Sequence, residues 1–355
     1  MKYLNYAALC PTHPQVEEAV NQTLTEFKDY LYSEAGIAWY LQKVDGCRKK
    51  VATLLNVEDH HSIAFVSNAS TAHYLTLSFL DWSSQDGIIT SSHENPSILR
   101  ELRILETRGV PLYIVSPTSP KIFLDHILQL TEIHSIRALV LSHVSHVDGR
   151  IFPLEEIADI AKENNILLII DGAQAVGHIP VDLKTLGYDI YFFTGHKWCQ
   201  GPLGTGALVI NQRFHDRNPQ FAKEVQAVGK PPATRWEIGT HNIGLIAGLA
   251  EACAIKNQGG LQNQEQEALR TQAKYRMRNQ PSIQVKEWDG PHAPGILSFQ
   301  HQDHSNFYNK LHNKWNIIVK QFTTYPEGEI PAIRLSWLGK NDQSILEETL
   351  QLFES

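Results

Sequence analysis

The chain has 355 residues, more than one hydrophobic core usually supports, so two structural units sharing an interface are expected. A composition that is 42% hydrophobic and 19% charged excludes a disordered chain, and a net charge of −7 with no basic stripe excludes nucleic acid as a partner. No run of about 18 apolar residues argues for a membrane span. Four cysteines (Cys10, Cys47, Cys199, Cys253) without C-x-x-C spacing, behind an N-terminus that lacks a secretion signal, are expected as free thiols in a cytoplasmic protein.

In chain order, helices are expected first over 14–31 and 39–55. Between about residues 60 and 210, seven short apolar runs alternate with amphipathic stretches: SIAFVS, DGIITSS, VPLYIVS, IRALVLSH, NILLIID, DIYFFTG and GALVI. Each is rich in Ile, Val, Leu or Phe and apolar on both faces, as strands covered by helices on either side must be. The segments 96–107 and 154–163 read as helices between them. Alternation of this kind predicts an α/β fold with a mainly parallel, doubly wound sheet. After Gly244 come a helical run (IGLIAGLAEACAI), a polar helix near 262–278, and a strand-and-helix segment ending in a helix near 343–353. Residues 14–259 are therefore assigned to a large domain and 260–355 to a smaller α+β domain, with Gly259–Gly260 as the hinge.

Residues 169–210 carry the chemistry. Asp171 stands at the end of an apolar strand, where open α/β sheets contact ligands. A second strand delivers Thr194, His196 and Lys197 to the same edge, before a loop holding Gly201, Gly204 and Gly206. A lysine emerging there has its charged form disfavoured by desolvation, which exposes a neutral, nucleophilic amine suited to Schiff-base chemistry. The alternative is a lysine that snorkels to solvent from a strand end.

The pair Asp171-Gly-Ala-Gln174 and Thr194-Gly-His-Lys197 resembles the D-x-A-Q and (S/T)-G-H-K fingerprint of the class V aminotransferase and cysteine desulfurase superfamily, and the likeness extends over nearly the whole chain. It implies the fold type I architecture of pyridoxal 5'-phosphate enzymes, with the cofactor held as a Schiff base on Lys197. Asp171 would pair with the pyridine nitrogen, Gln174 with the ring oxygen, and Thr194 and His196 with the phosphate. Ser70 and Thr71, at a strand-to-helix turn, resemble the family's phosphate loop. His93 in SSHENPSI matches the histidine that stacks on the ring. The segment RWEIGTHN is similar to one whose threonine, here Thr240, reaches the phosphate in a neighbouring subunit, which implies a homodimer with shared active sites.

Arg334 in PAIRLSW is the candidate for the substrate α-carboxylate, since a guanidinium offers two parallel donors. The N-terminal YLNYAALCP is similar to a family segment that would bring Ala7, Ala8 and Cys10 of residues 1–13 near the amino-acid substrate. Where relatives place an asparagine near the ring oxygen, this chain reads His146, which takes that contact or marks a displaced loop.

Desulfurases carry a nucleophilic thiol on a mobile loop shortly before the carboxylate-binding arginine, yet no cysteine lies between Cys253 and Arg334. The pattern therefore looks most like the cysteine/cystine C-S lyases, which work by β-elimination. Cysteine desulfurase, and class V aminotransferase or epimerase, are the alternatives. His143-x-x-His146 and His301-x-x-His304 suggest a metal, but on a strand the i and i+3 side chains point to opposite faces, and no metal is expected.

Overall fold

A computed structural model describes residues 2–31, 33–220, 231–259, 263–323 and 332–353. β1 (Lys2–Tyr3) precedes two helices, α1 (Pro14–Tyr30) and α2 (Glu34–Leu55). α2 starts five residues before the expected boundary at 39, because Gly36, a poor helix former, masks the pattern there.

The seven apolar runs become seven strands of one sheet: β2 (Ile63–Val66), β3 (Gly87–Ser91), β4 (Leu112–Val115), β5 (Ile136–Ser142), β6 (Leu167–Asp171), β7 (Ile190–Thr194) and β8 (Gly206–Ile210). Their order is β2-β8-β7-β6-β5-β3-β4. β8 alone runs antiparallel to its neighbours, since the connection from β7 is too short for the helical crossover that a parallel return requires. Helices α3 (Ala69–Phe79), α4 (Pro96–Thr107), α5 (Pro120–Ile133), α6 (Leu154–Glu163), α7 (Gln212–Arg217) and α8 (Ile243–Gly259) complete this part. Alternate strand residues feed two cores. Leu139, Ile170 and Phe193 pack towards α2, α5, α6 and α8, whereas Val140, Ile169 and Phe192 pack towards α3 and α4.

A second, four-stranded antiparallel sheet has the order β12-β13-β10-β9 and comprises β9 (Ile283–Val285), β10 (Ile296–His301), β12 (Lys320–Phe322) and β13 (Ala332–Ser336). With α9 (Asn263–Arg278), α10 (His304–Asn309) and α11 (Gln343–Phe353) it encloses its own core of Leu269, Met277, Leu297, Phe299, Leu335 and Leu350. Leu4 enters that core, and β1 pairs in parallel with β11 (Ile317–Ile318). Gly259 ends α8; Gly260 lies outside the described residues, as does 324–331.

Trp198, next to Lys197, locks the two parts together. It packs with Ala7 and Ile296, and His178 stacks on its ring at 3.6 Å while accepting the Gly295 N–H at 2.9 Å.

Candidate active site

Strand register assembles the site. Ser142 of β5 lies opposite Asp171, and Asp171 opposite Phe192, so β5 and β6 end together and β7 runs two residues further, to Thr194. Gly206 faces both Val66 and Thr194, which places the turn after β2 beside the turn after β7. A Cβ at Gly206 would sit 2.5 Å from the Phe193 carbonyl oxygen and 3.1 Å from the Asn68 Cα, so only glycine permits this approach. Gly177 (φ +81°) does the same for the turn after Asp171, where a Cβ would fall 2.7 Å from the Cys199 backbone nitrogen.

Asp171 is buried and its Oδ1 accepts the Ala173 N–H at 2.8 Å. Burial pushes its carboxyl pKa up, against the opposing pull of the Lys197 ammonium. Lys197 is half-buried along its length, but its amine is enclosed: burial lowers its pKa, Asp171 works against that, and Arg334 adds to it. Burial thus disfavours the charged form of both members of the pair, while each one's charge partly offsets this for the other.

Around this pair, Thr194 Oγ1 and His196 Nδ1 share a hydrogen bond of 2.8 Å. His196 is held down to about 4 by burial and by Lys197. α3 opens earlier than the Ser70–Thr71 boundary read from the sequence: Asn68 is the N-cap and its Oδ1 accepts the Thr71 N–H at 2.8 Å. Ser70 is exposed, with its hydroxyl on Ser97 at 3.0 Å. Gln174 gives one amide N–H to the Ala7 carbonyl (2.8 Å) and accepts the Trp198 indole N–H (2.7 Å), which leaves its second N–H for a ligand. A helix N-terminus, two hydroxyls and an imidazole beside a lysine and an aspartate form a donor set that fits a phosphorylated pyridoxal.

His93 is fully buried, with Nδ1 at 3.3 Å from Ser145 Oγ and 3.9 Å from Asp148 Oδ1. His146 donates from Nδ1 to the His93 carbonyl at 3.3 Å and accepts, through its own carbonyl, from Arg334 Nη1. Arg334 also reaches Asn5 Oδ1 at 3.0 Å and lies over the Phe322 ring. Hence His93, His146, Asp171, Lys197 and Arg334 form one group, with Ala7 and the exposed Ala8 on its N-terminal side. Thr240 is exposed beside α1 and α2, in an apolar groove with Leu24, Phe27, Ile37 and Leu41.

Several residues here were not expected from the sequence. Glu94 is buried, accepts from Ser91 Oγ and from both the Ser142 hydroxyl and N–H, and is pushed up to about 7 by burial. Asp148 and Arg150 form a buried ion pair below His93, and Arg150 lies over Trp288 and binds the Pro117 carbonyl. Burial alone would raise Asp148, but the Arg150 guanidinium, helped by His93, holds its carboxyl well below the usual range. Replacing Asp148 with alanine leaves Arg150 buried and unpaired, so the chain should lose about 3 kcal/mol or more, read as a fall in the denaturation midpoint with unchanged m-value.

The histidines weighed as metal ligands have other partners. His143 bonds the Tyr191 hydroxyl at 3.0 Å, whereas His301 stacks on Phe307 at 4.1 Å and His304 meets Gln321 at 3.1 Å.

A half-buried lysine facing a buried aspartate, at the carboxyl edge of a mostly parallel sheet, defines an α/β protein with a lysine-centred ligand site. The chain belongs to the aminotransferase class V family, whose model matches residues 2–323. It is similar to the cysteine desulfurase IscS of Shewanella sp. (strain ANA-3), 30% identical over 260 residues, or 71% of this chain and 63% of that protein. The chain therefore matches less than two thirds of that relative's length. In fold it is similar to the cystine C-S lyase C-DES in complex with its reaction product cysteine persulfide (TM-score 0.81, 23% identity, 99% of this chain and 96% of that one). The apo cysteine desulfurase from Thermococcus onnurineus NA1 shares that fold (TM-score 0.82, 23% identity, 99% and 94%). No described helix is long and apolar enough to cross a membrane.

Proposed function

We propose that this chain is a pyridoxal 5'-phosphate enzyme that cleaves the C–S bond of cysteine or cystine by β-elimination. Lys197 carries the cofactor, Asp171 meets the pyridine nitrogen, and Gln174 and His146 stand at the ring oxygen. His93 covers the ring face, while Ser70, Thr71, Thr194 and His196 surround the phosphate. When bound, the cofactor supplies an electron-withdrawing ring that accepts the pair left at the substrate Cα. Arg334 orients the α-carboxylate by a bidentate contact, exchanging its bonds to His146 and Asn5 for it. Once the substrate amine has taken its place on the cofactor, Lys197 Nζ would be free to accept the Cα proton; the Cβ–S bond would break with sulfur leaving as thiolate or persulfide, and the aminoacrylate left would hydrolyse to pyruvate and ammonia. Residues 14–259 hold the cofactor, and 260–355 bring Arg334 over it.

The observation that carries elimination over desulfuration is the state of the thiols. All four cysteines are buried. Burial pushes the Cys10 thiol far up, and Cys47 to about 11. Thiol attack on bound substrate needs an accessible thiolate, and a buried neutral thiol bonded to the Tyr6 carbonyl, as Cys10 is, supplies none. Pyruvate and ammonia in equal amounts are the expected products from cystine, and Cys10→Ser should leave their rate within about twofold, since no enzyme thiol takes part. Alanine with protein-bound sulfane sulfur would instead establish desulfuration, and an obligatory 2-oxo acid would establish aminotransfer.

Arg334→Ala should raise KM for cystine by about tenfold to a hundredfold with a smaller change in kcat, the pattern of a lost carboxylate contact. The relatives named as cysteine desulfurases support the same substrate class. Thr240 serves the phosphate of a second copy: it is exposed, and Ile37, Leu41 and Ile238 beside it present apolar surface that a homodimer would cover. A cytoplasmic location fits the free thiols.

A further inference from the structure

Far from Lys197, at the opposite end of β2, the sequence Glu58-Asp-His-His-Ser62 makes a single tight turn. Asp59 caps it by accepting the His61 N–H at 2.9 Å, and the Ser62 hydroxyl closes it on the Asp59 carbonyl. Side chains of consecutive residues usually diverge, yet the rings of His60 and His61 lie 4.1 Å apart and both turn to Asp45 on α2. His60 Nε2 stands 2.8 Å from Asp45 Oδ1, and His61 Nδ1 stands 3.9 Å from the same oxygen. The three ligand atoms all fall within 4.8 Å of one another. Asp45 Oδ2 is occupied by Lys49 at 2.7 Å, so the two imidazoles share Oδ1.

We propose that Asp45, His60 and His61 form a binding site for a borderline transition-metal dication, zinc being the representative, that ties α2 to the start of β2. The donor chemistry selects the class. Two neutral imidazoles and one carboxylate oxygen suit zinc and its neighbours, whereas calcium and magnesium take oxygen ligands almost exclusively. Tetrahedral zinc with bonds near 2.1 Å separates its ligands by about 3.4 Å, so of the two spacings to Asp45 Oδ1 that of His60 must open and that of His61 close by about half an ångström. Half-exposed rings allow that by side-chain rotation. All three side chains remain partly open to solvent, which leaves water to complete the coordination and places the affinity in the micromolar range rather than that of a closed structural site. Neither ring lies near the lysine-centred group: Val66, at the other end of β2, is the residue opposite Gly206 and the Thr194 edge. The inference is independent of the elimination reading.

The test is zinc titration of the tag-free full-length protein by calorimetry. One site with Kd of about 1–30 µM is expected in the wild type, weakened at least tenfold by His60→Ala, His61→Ala or Asp45→Asn. Zinc at a hundredfold excess over the wild-type Kd should raise Tm by roughly 3 °C in the wild type and by at most about half of that in each variant. A measurement that needs no variant is zinc protection of His60 and His61 from diethylpyrocarbonate, read by peptide mass. No wild-type site tighter than about 100 µM, unchanged affinity in all three variants, or unprotected histidines under saturating zinc would overturn the proposal.

Discussion

Replacing Lys197 with alanine is expected to abolish covalent attachment of pyridoxal 5'-phosphate and to lower turnover of cystine by a factor of 10³ or more, on the order of the combined value of a nucleophilic anchor and a proton acceptor. The expectation follows from position. Lys197 is the cation whose charge acts on buried Asp171, and the strand register holds both at one sheet edge. Folding should not suffer with it. Burial disfavours the lysine's charge, so removing the amine relieves a desolvation cost, and Tm should stay within a few degrees of the wild type. Borohydride reduction followed by intact-mass measurement reads attachment, and pyruvate release reads turnover. A folded Lys197→Ala protein with full turnover would sink the assignment of the site as well as the reaction.

Much of the architecture was legible in the sequence because its signals are local. Strands covered on both faces must be apolar throughout, and every such run became a strand of the large sheet. Helices α4 and α6 end where the amphipathic pattern ends. The direction of β8 was not legible, since a five-residue apolar run carries no sign of whether its strand runs up or down. Of the site, the segments around Asp171 and Lys197 could be read because strand-end polar residues stand out against apolar runs. Asp148, Arg150 and Glu94 could not: charged residues in a loop read as solvated, and only the tertiary fold shows them buried under His93 and beside Ser142. Asn5 was hidden for another reason. Its contact with Arg334 joins residues at opposite ends of the chain, a pairing that no local pattern encodes. The turn of His60 and His61 is equally silent, because its third partner, Asp45, sits on a helix that precedes it.

Acid should destabilise this protein early, from just below pH 6.5. His73 and His178 are fully buried, and burial depresses each to about 3. Neither ring nitrogen of His73 has a hydrogen-bond partner, so a charge there would have nothing to offset its desolvation. His178 is held neutral by geometry: Nδ1 donates to the Gln174 carbonyl at 3.0 Å, and Nε2 must keep its lone pair to accept from Gly295. Both groups bind a proton more readily in the unfolded chain, near pH 6.5, than in the fold. Their contribution is therefore complete above that pH and is lost as pH falls from 6.5 towards 3, at about 1.4 kcal/mol per histidine per pH unit. By pH 4.5 the two together remove about 5 kcal/mol, a large share of the stability of an ordinary domain. Asp148 adds to the loss only lower down, below about pH 4, where unfolded carboxyls begin to protonate. Denaturant midpoints should fall between pH 7 and 4.5, with His143, His196 and His292, each depressed to about 4 by burial, adding to the loss and Glu94, pushed up to about 7, offsetting part of it. His73→Leu, which removes one titrating group and two unsatisfied nitrogens while keeping an apolar side chain of similar size, should raise stability at pH 7 by about 1 kcal/mol and reduce the loss on acidification by about 1.4 kcal/mol per pH unit. Identical slopes in the two proteins would show that His73 is protonated in the fold and that its burial does not govern acid unfolding.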